Sequence, residues 1–138
     1  MIAALKAPDP SAMALDESVL DALGRFRGQS QPEFVNRVIA MFMESALALL
    51  AELRRGLGRA DITALHHASH ALKSCSATIG AYPLADRCKE LELLARTGSA
   101  PDAATQVDAI IGEYHRVEAA LIGRLAEPKT ARNSSAIL

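Results

Sequence analysis

The feature that most restricts the fold of this chain is a run of apolar residues at helical spacing between positions 35 and 57. Ser30, Gln31, Pro32 and Glu33 precede it as a capping box with proline in the first turn, which predicts a helix that starts there and ends near Leu57. The stripe is wide, so it requires partner helices that cover it. Its members are Val35, Val38, Ile39, Phe42, Ala46, Leu49, Leu50, Leu53 and Leu57.

Four further segments carry helical signals. A short helix is predicted from the N-cap Asp16 to about Gly24, and a third helix follows the N-cap Asp61. A fourth starts near Pro83, and a fifth follows residues 99–102, which form a second N-terminal signature. The last three helices each have one apolar face, formed in turn by Leu65, Ala68, Leu72, Cys75 and Ile79; by Leu84, Cys88, Leu91 and Ala95; and by Val107, Ile110, Ile111, Tyr114, Val117, Leu121 and Leu125.

The composition agrees with an all-α protein. Ala and Leu supply 45 of the 138 residues, whereas Val, Ile and Thr supply 18 and aromatic residues 4%, so helices are favoured over strands. Four long amphipathic helices with short connections predict an antiparallel up-down four-helix bundle, with the short first helix as a cap over one end. We expect one domain at residues 15–126 between loose tails at 1–14 and 127–138.

Charge and apolar runs narrow the functional classes. A formal net charge of -1 argues against a nucleic-acid-binding protein. Uninterrupted apolar runs such as 46–51 are far shorter than the roughly 20 residues of a membrane span. The N-terminus lacks the apolar segment of a secretory signal, so we expect a cytoplasmic protein that binds no membrane. Cys75 and Cys88 lack a metal-binding spacing and are expected to be reduced thiols.

Three of the four histidines lie within five residues of the third predicted helix, at His66, His67 and His70. Helical geometry places His70 off the apolar face, with His66 four residues before it, Lys73 three after it and Ser74 four after it. A neutral imidazole is a good nucleophile near neutral pH, because the ordinary pKa of histidine is about 6.5. An exposed imidazole beside a lysine and a small serine suits a phosphate acceptor, and a solvated helix face without chemistry is the alternative.

The chain from His70 onward closely resembles the signature of histidine-containing phosphotransfer (HPt) domains of bacterial phosphorelays. The resemblance spans 23 residues and lies in the stretch 70–76 (HALKSCS), Gly80 and Ala81, Leu84, and the stretch 88–92 (CKELE). The predicted helices agree with the bundle of this family in number and order. The resemblance therefore extends across about residues 16–125.

The resemblance implies a role for each matched site residue. His70 resembles the phosphoacceptor, Lys73 the basic residue beside it, and Ser74 the small position that usually holds glycine, a departure that bears on the choice of partner. Glu92 resembles the acidic or amide residue that faces the histidine from the next helix and holds the proton of its other ring nitrogen. An exposed helix charge is the alternative interpretation of Glu92. Arg96, one turn further on, is placed to assist the phosphate or to contact an acidic loop of a partner.

The function implied by the resemblance is that of a monomeric phosphoryl carrier and not of an enzyme. Such a carrier accepts a phosphoryl group from the phosphoaspartate of a response-regulator receiver domain and passes it to another receiver aspartate. Receiver domains and a hybrid sensor kinase are the implied partners. The sequence has no glycine-rich phosphate loop or carboxylate cluster, so we expect no bound cofactor in this chain and Mg²⁺ in the partner receiver domain.

Three other functions stay open at this point. His66 and His70 have the i, i+4 spacing of zinc-binding His-Glu-x-x-His motifs, although His67 stands where the glutamate belongs. The phosphoacceptor helix pair of a sensor kinase has an acidic residue after its histidine, where this chain has Ala71, and an ATP-binding domain downstream. A helical adaptor that binds a signalling partner without phosphotransfer needs only the amphipathic helices.

Overall fold

The computed structural model describes residues 13–25, 32–97 and 102–126. Within these ranges the chain forms α-helices and no strand. The helices are α1 (Glu17–Gly24), α2 (Pro32–Gly58), α3 (Ile62–Thr78), α4 (Tyr82–Arg96) and α5 (Ala103–Ala126). The four long helices pack as an antiparallel bundle and α1 lies over one end, so the predicted all-α fold is confirmed.

The described helix starts carry the predicted caps. The carboxylate of Asp16 accepts a hydrogen bond from the backbone N–H of Ser18 at 3.1 Å, and that of Asp61 accepts one from Ala64 at 3.0 Å. Both N-caps are therefore confirmed. Several expectations fall outside the described residues and stay predictions: residues 30 and 31 of the capping box, residues 99–101 of the second signature, residues 1–12 of the predicted tail 1–14, and the tail 127–138. Ala14, the last residue of the predicted first tail, is buried in the core.

One apolar core runs between the four long helices. Phe42 of α2 and Tyr114 of α5 meet in it with ring centroids 6.3 Å apart. The buried face of α2 is narrower than the predicted stripe, because Val38, Leu49 and Leu57 are only partly buried at its edges. The centre of this face is Val35, Ile39, Phe42, Ala46, Leu50 and Leu53.

Leu125 corrects the predicted buried face of α5. Its side chain is 39% exposed, whereas Leu121, one turn earlier, is fully buried. Leu125 lies in the last turn of α5, which ends at Ala126, beyond the last residue that the core covers. Helical spacing alone does not show where a core ends along a helix.

Gly80 makes the turn between α3 and α4. Its φ is +87°, and the N–H groups of Gly80 and Ala81 donate to the carbonyls of Ala77 and Ser76 at 3.2 and 2.8 Å, which closes the end of α3. The carbonyl of Gly80 accepts from the N–H of Asp16 at 2.9 Å, and a Cβ at position 80 would lie 2.7 Å from the Asp16 carbonyl oxygen. Glycine is thus required where α1 approaches this turn.

A nearly buried cation holds α1 against α5. The side chain of Arg124 is 9% exposed and donates to Glu17 Oε1 at 3.0 Å and to Asp21 Oδ1 at 2.8 Å. These contacts place α1 at the end of the bundle where α3 turns into α4. The predicted position of the first helix as a cap is therefore confirmed.

Helix α2 is long and apolar enough, by length and composition, to cross a membrane. It has 27 residues, and its mean hydropathy reaches 1.6 over an 18-residue window. A search for uninterrupted apolar runs misses this property of α2, because Arg37 and Glu44 interrupt its apolar residues. The core helix of a soluble bundle passes the same test, and one face of α2 packs in the core described above.

Candidate functional site

His70 lies in the middle of α3 with its side chain 57% exposed, as its place off the apolar face predicts. The opposite face of α3 is buried in the bundle and includes Ser69, which the sequence did not assign to the core. The Ser69 hydroxyl donates to the carbonyl of Leu65 at 2.7 Å, and this satisfied hydrogen bond allows its burial. The core thus fixes the face of α3 that carries His70.

Glu92 of α4 faces His70 from the neighbouring helix. Its side chain is only 4% exposed, so the alternative interpretation of Glu92 as an exposed helix charge is wrong. Oε2 lies 2.8 Å from Nδ1 of His70, and Oε1 accepts a hydrogen bond from Nζ of Lys73 at 2.6 Å. The two carboxylate oxygens therefore bind two different residues of α3.

The protonation of Glu92 determines the tautomer of His70. The hydrogen bond from Lys73 and, to a lesser degree, that from His70 lower the pKa of Glu92 to about 2, against the opposing effect of burial. An ionised carboxylate only accepts hydrogen bonds, so Nδ1 of His70 carries the proton in the contact at 2.8 Å. In the neutral ring the lone pair then belongs to Nε2.

The structure brings three of the four predicted supporting residues together. Lys73 and Glu92 contact each other directly, and Nη2 of Arg96 lies 3.7 Å from Glu92 Oε2 with the rest of its side chain exposed. Lys73 therefore points to the carboxylate in this structure. Ser74, the fourth, lies on the exposed side of α3 one turn after His70, and its carbonyl accepts from the Thr78 hydroxyl at 2.9 Å.

His66 belongs to the same cluster: the sequence places it four residues before His70 on one helix face but does not predict its approach to Glu92. Its ring stacks on that of His70 with 10° between the planes and 6.4 Å between the centroids, and its Nε2 lies 3.8 Å from Glu92 Oε2. The spacing of four residues to His70 was the available signal, and it also raised the zinc site as an alternative. His67 is exposed on the next position, and His115 of α5 pairs with Glu118 at 3.5 Å.

The geometry gives no support to the zinc alternative. In the described parts of the chain, no three His, Cys, Asp or Glu side chains converge as metal ligands. Lys73 and Arg96 instead surround the carboxylate nearest the two histidines. Burial raises the pKa of Cys88 to about 12, so its thiol stays protonated, and Cys75 is a half-buried free thiol.

The family of this helical bundle follows from its similarity to known proteins. Residues 37–120 match the family model of the Hpt domain, so the chain belongs to the histidine-containing phosphotransfer family. The crystal structure of histidine-containing phosphotransfer protein B (HptB) from Pseudomonas aeruginosa PAO1 is similar, with 28% identity and a TM-score of 0.76 over 86% of this chain and 100% of that chain. A comparison with curated proteins found no match.

Membership of this family assigns the chain a general role. Hpt proteins take part in phosphorelays by histidine phosphotransfer, and they act as phosphocarriers and not as conventional enzymes. The resemblance stated from the sequence is thereby confirmed at the level of the family.

Proposed function

We propose that this chain accepts a phosphoryl group on Nε2 of His70 from the phosphoaspartate of one receiver domain and passes it to the aspartate of another. The observation that carries the proposal is the hydrogen bond at 2.8 Å between His70 Nδ1 and the nearly buried Glu92. This contact orients the ring and leaves the lone pair on Nε2, while the exposure of His70 gives a partner access to it.

In the proposed transfer step, Nε2 of His70 replaces the aspartyl oxygen on phosphorus. The lone pair of Nε2 attacks phosphorus, a nitrogen–phosphorus bond forms, and the bond between phosphorus and the aspartyl oxygen breaks, which returns the receiver's aspartate as a carboxylate. The imidazole ring gains positive charge because Nδ1 keeps its proton. The carboxylate of Glu92, 2.8 Å away, stabilises that charge, and the reverse step returns the phosphoryl group to a second aspartate.

The other residues of the cluster act on the phosphoryl group and on the partner. Lys73 steadies the phosphoryl oxygens, and the guanidinium of Arg96 adds a second cation on the same side. Ser74 and Ala77 are exposed at one and two turns from His70, so small side chains leave the ring open to a docking receiver. A transient interface suits a carrier that releases both partners.

The partner supplies the rest of the chemistry. Phosphoryl transfer requires in-line positioning and charge stabilisation, and the receiver domain brings its aspartate, a lysine and Mg²⁺. The chain itself holds no cofactor in this proposal and acts as a monomer in the cytoplasm, between a hybrid sensor kinase and its response regulators. It binds neither nucleic acid nor membrane.

The test is to incubate the chain with a radiolabelled phosphorylated receiver domain and Mg²⁺, and to map any label that is labile in acid and stable in alkali. We expect label on His70, none in His70→Gln, and full labelling in the matched control His67→Gln, which changes an exposed histidine outside the Glu92 contacts. Both variants should keep the helical content of the parent. Absence of label from several receivers, with the bundle folded, would favour the adaptor that carries no phosphate.

A further inference from the structure

Four basic side chains surround the carboxylate of Glu92, but only two of them lie within hydrogen-bond distance. Oε1 accepts from Lys73 at 2.6 Å and Oε2 from His70 at 2.8 Å. Arg96 and His66 lie just outside hydrogen-bond distance of the same Oε2, at 3.7 and 3.8 Å. The cluster therefore contains two close partners and two that stand one short movement away.

Phosphorylation of His70 changes which partner Lys73 prefers. Lys73 contacts the carboxylate in the structure, so a dianionic phosphoryl group on Nε2 competes with Glu92 for its ammonium. Without Lys73, the carboxylate, which is 4% exposed, keeps only the charged ring of His70 at hydrogen-bond distance, and its other oxygen loses its cation. A replacement partner lowers the free energy of that exchange, and a neutral imidazole is a weaker replacement than an imidazolium.

We propose that His66 is a positioning residue for the phosphorylated state, in which its imidazolium binds Glu92 as Lys73 turns to the phosphoryl group on His70. This inference rests on the proposed function of His70. The role of His66 depends on its charge, because its contact with the Glu92 carboxylate is an ion pair only when the imidazole is protonated. His66 acts on the phosphoryl group indirectly, through Glu92 and Lys73. Protonation of His66 thus lengthens the lifetime of phosphohistidine.

The groups around His66 decide the sign of this effect. On α3 these groups are His67, His70 and Lys73. From α4, Glu92 faces His66, and Arg96 lies 3.7 Å from the same carboxylate oxygen. A cation at His66 supplies positive charge to the carboxylate when Lys73 leaves it. Its repulsion from the charged ring of His70 is reduced because both rings approach the same oxygen, at 3.8 and 2.8 Å.

The experiment measures how fast phosphohistidine decays at His70, independently of any receiver. Phosphoramidate donates a phosphoryl group to imidazole nitrogen with release of ammonia, so it labels the isolated full chain, and the label at His70 is then followed by mass spectrometry. The lifetime is compared between the parent, His66→Gln and the matched control His67→Gln at about pH 6 and about pH 8.5, because an imidazole gains charge as the pH falls. Ratios taken at one pH cancel the intrinsic acid lability of phosphohistidine.

We expect the label in His66→Gln to decay about threefold faster than in the parent at the lower pH and equally fast at the higher pH, since the effect is that of a partly exposed ion pair. His67→Gln should match the parent at both. A second variant, His66→Lys, carries its charge at either pH and should keep the slow decay at both. Equal decay in His66→Gln and the parent at the lower pH would overturn the role of His66.

The two proposals fail in different ways. Absence of label on His70 with phosphoramidate and with a phosphorylated receiver alike would overturn both. Labelling by phosphoramidate but never by a phosphorylated receiver would contradict the phosphorelay role alone. A faster decay that is the same at both pH values would overturn the charge dependence, because a merely structural contact of His66 would be lost equally at each pH.

Discussion

Two ion clusters of this bundle contain similar groups in opposite proportions. At one end of the molecule, Arg124 binds two carboxylates, Glu17 at 3.0 Å and Asp21 at 2.8 Å. Midway along the α3–α4 hairpin, one carboxylate, Glu92, lies among four basic side chains at 2.6 to 3.8 Å. The first cluster satisfies its cation, whereas the second has an excess of basic groups around its anion.

This difference indicates that the Arg124 cluster stabilises the fold, whereas the Glu92 cluster can bind a further anionic group. The Arg124 cluster joins α1 to α5, two helices far apart in sequence, and its side chain is nearly buried. The Glu92 cluster lies beside an exposed imidazole, and its surplus positive charge suits an incoming phosphoryl group. We therefore expect substitutions at the α1 end to change stability alone and substitutions at Glu92 to change transfer.

Gly80→Ala should give the largest effect and should act on stability. Position 80 has a φ of +87°, and an added Cβ would lie 2.7 Å from the Asp16 carbonyl oxygen and 3.0 Å from Val19. We expect the free energy of unfolding to fall by about 2–4 kcal/mol, measured by urea denaturation. Gly112→Ala is the matched control, because its Cβ would meet nothing within 4 Å, and it should raise stability by about 0.5–1 kcal/mol. A Gly80→Ala variant as stable as the parent would contradict the close approach of α1.

Glu92→Ala should slow phosphoryl transfer by roughly tenfold or more, since Nδ1 of His70 loses the acceptor that fixes its tautomer. The amide oxygen of Glu92→Gln still accepts a hydrogen bond but carries no charge, so we expect an intermediate rate. Rapid-quench measurement of transfer from a phosphorylated receiver distinguishes the three chains. Equal transfer rates in all three chains would contradict a role of the Glu92 carboxylate in phosphoryl transfer.

Arg124→Met should lower the free energy of unfolding by about 1–2 kcal/mol, because the hydrogen bonds that hold α1 are lost. The rate of transfer to His70 should stay at the parent value, measured below the unfolding midpoint. Arg54→Met, at an exposed position of α2, serves as the control and should change stability by less than about 0.5 kcal/mol. A slower phosphoryl transfer in Arg124→Met would contradict the expectation that the Arg124 cluster affects stability alone.

Acid should weaken the Glu92 cluster in a defined pH range. The pKa of Glu92 is lowered from 4.5 to about 2 in the folded chain, so its ionised contacts stabilise the fold fully above about pH 4.5. That stabilisation is lost as the pH falls towards 2. The difference in free energy of unfolding between the parent and Glu92→Gln should therefore shrink over this range, as urea denaturation at stepwise lower pH would show. A difference that stays constant would argue against an ionised, hydrogen-bonded Glu92.

The sequence predicts the helices and the exposure of His70 well, because both follow from local rules. Asp16 and Asp61 cap the helices that their side chains indicate, and the position of His70 off the apolar face of α3 sets its exposure. The wrong expectation for Leu125 concerns where the core ends along α5, which depends on neighbouring helices and not on spacing.

The contacts between helices were less predictable. The burial of Glu92 depends on how α4 packs on α3, and the resemblance supplied its role without its surroundings. The approach of His66 to Glu92 and the pairing of Arg124 with Glu17 and Asp21 join residues distant in sequence. Such contacts are fixed by the angle and register of packed helices, which a single sequence does not specify.

The most direct test of the central claim is to determine which nitrogen of His70 carries the phosphoryl group. Nitrogen-15 NMR of the chain, labelled at histidine and phosphorylated by a receiver domain, reports the nitrogen bound to phosphorus and the nitrogen bound to hydrogen. We predict phosphorus on Nε2 of His70 and a proton on Nδ1 in its hydrogen bond to Glu92. Phosphorus on Nδ1, or on another histidine, would contradict it.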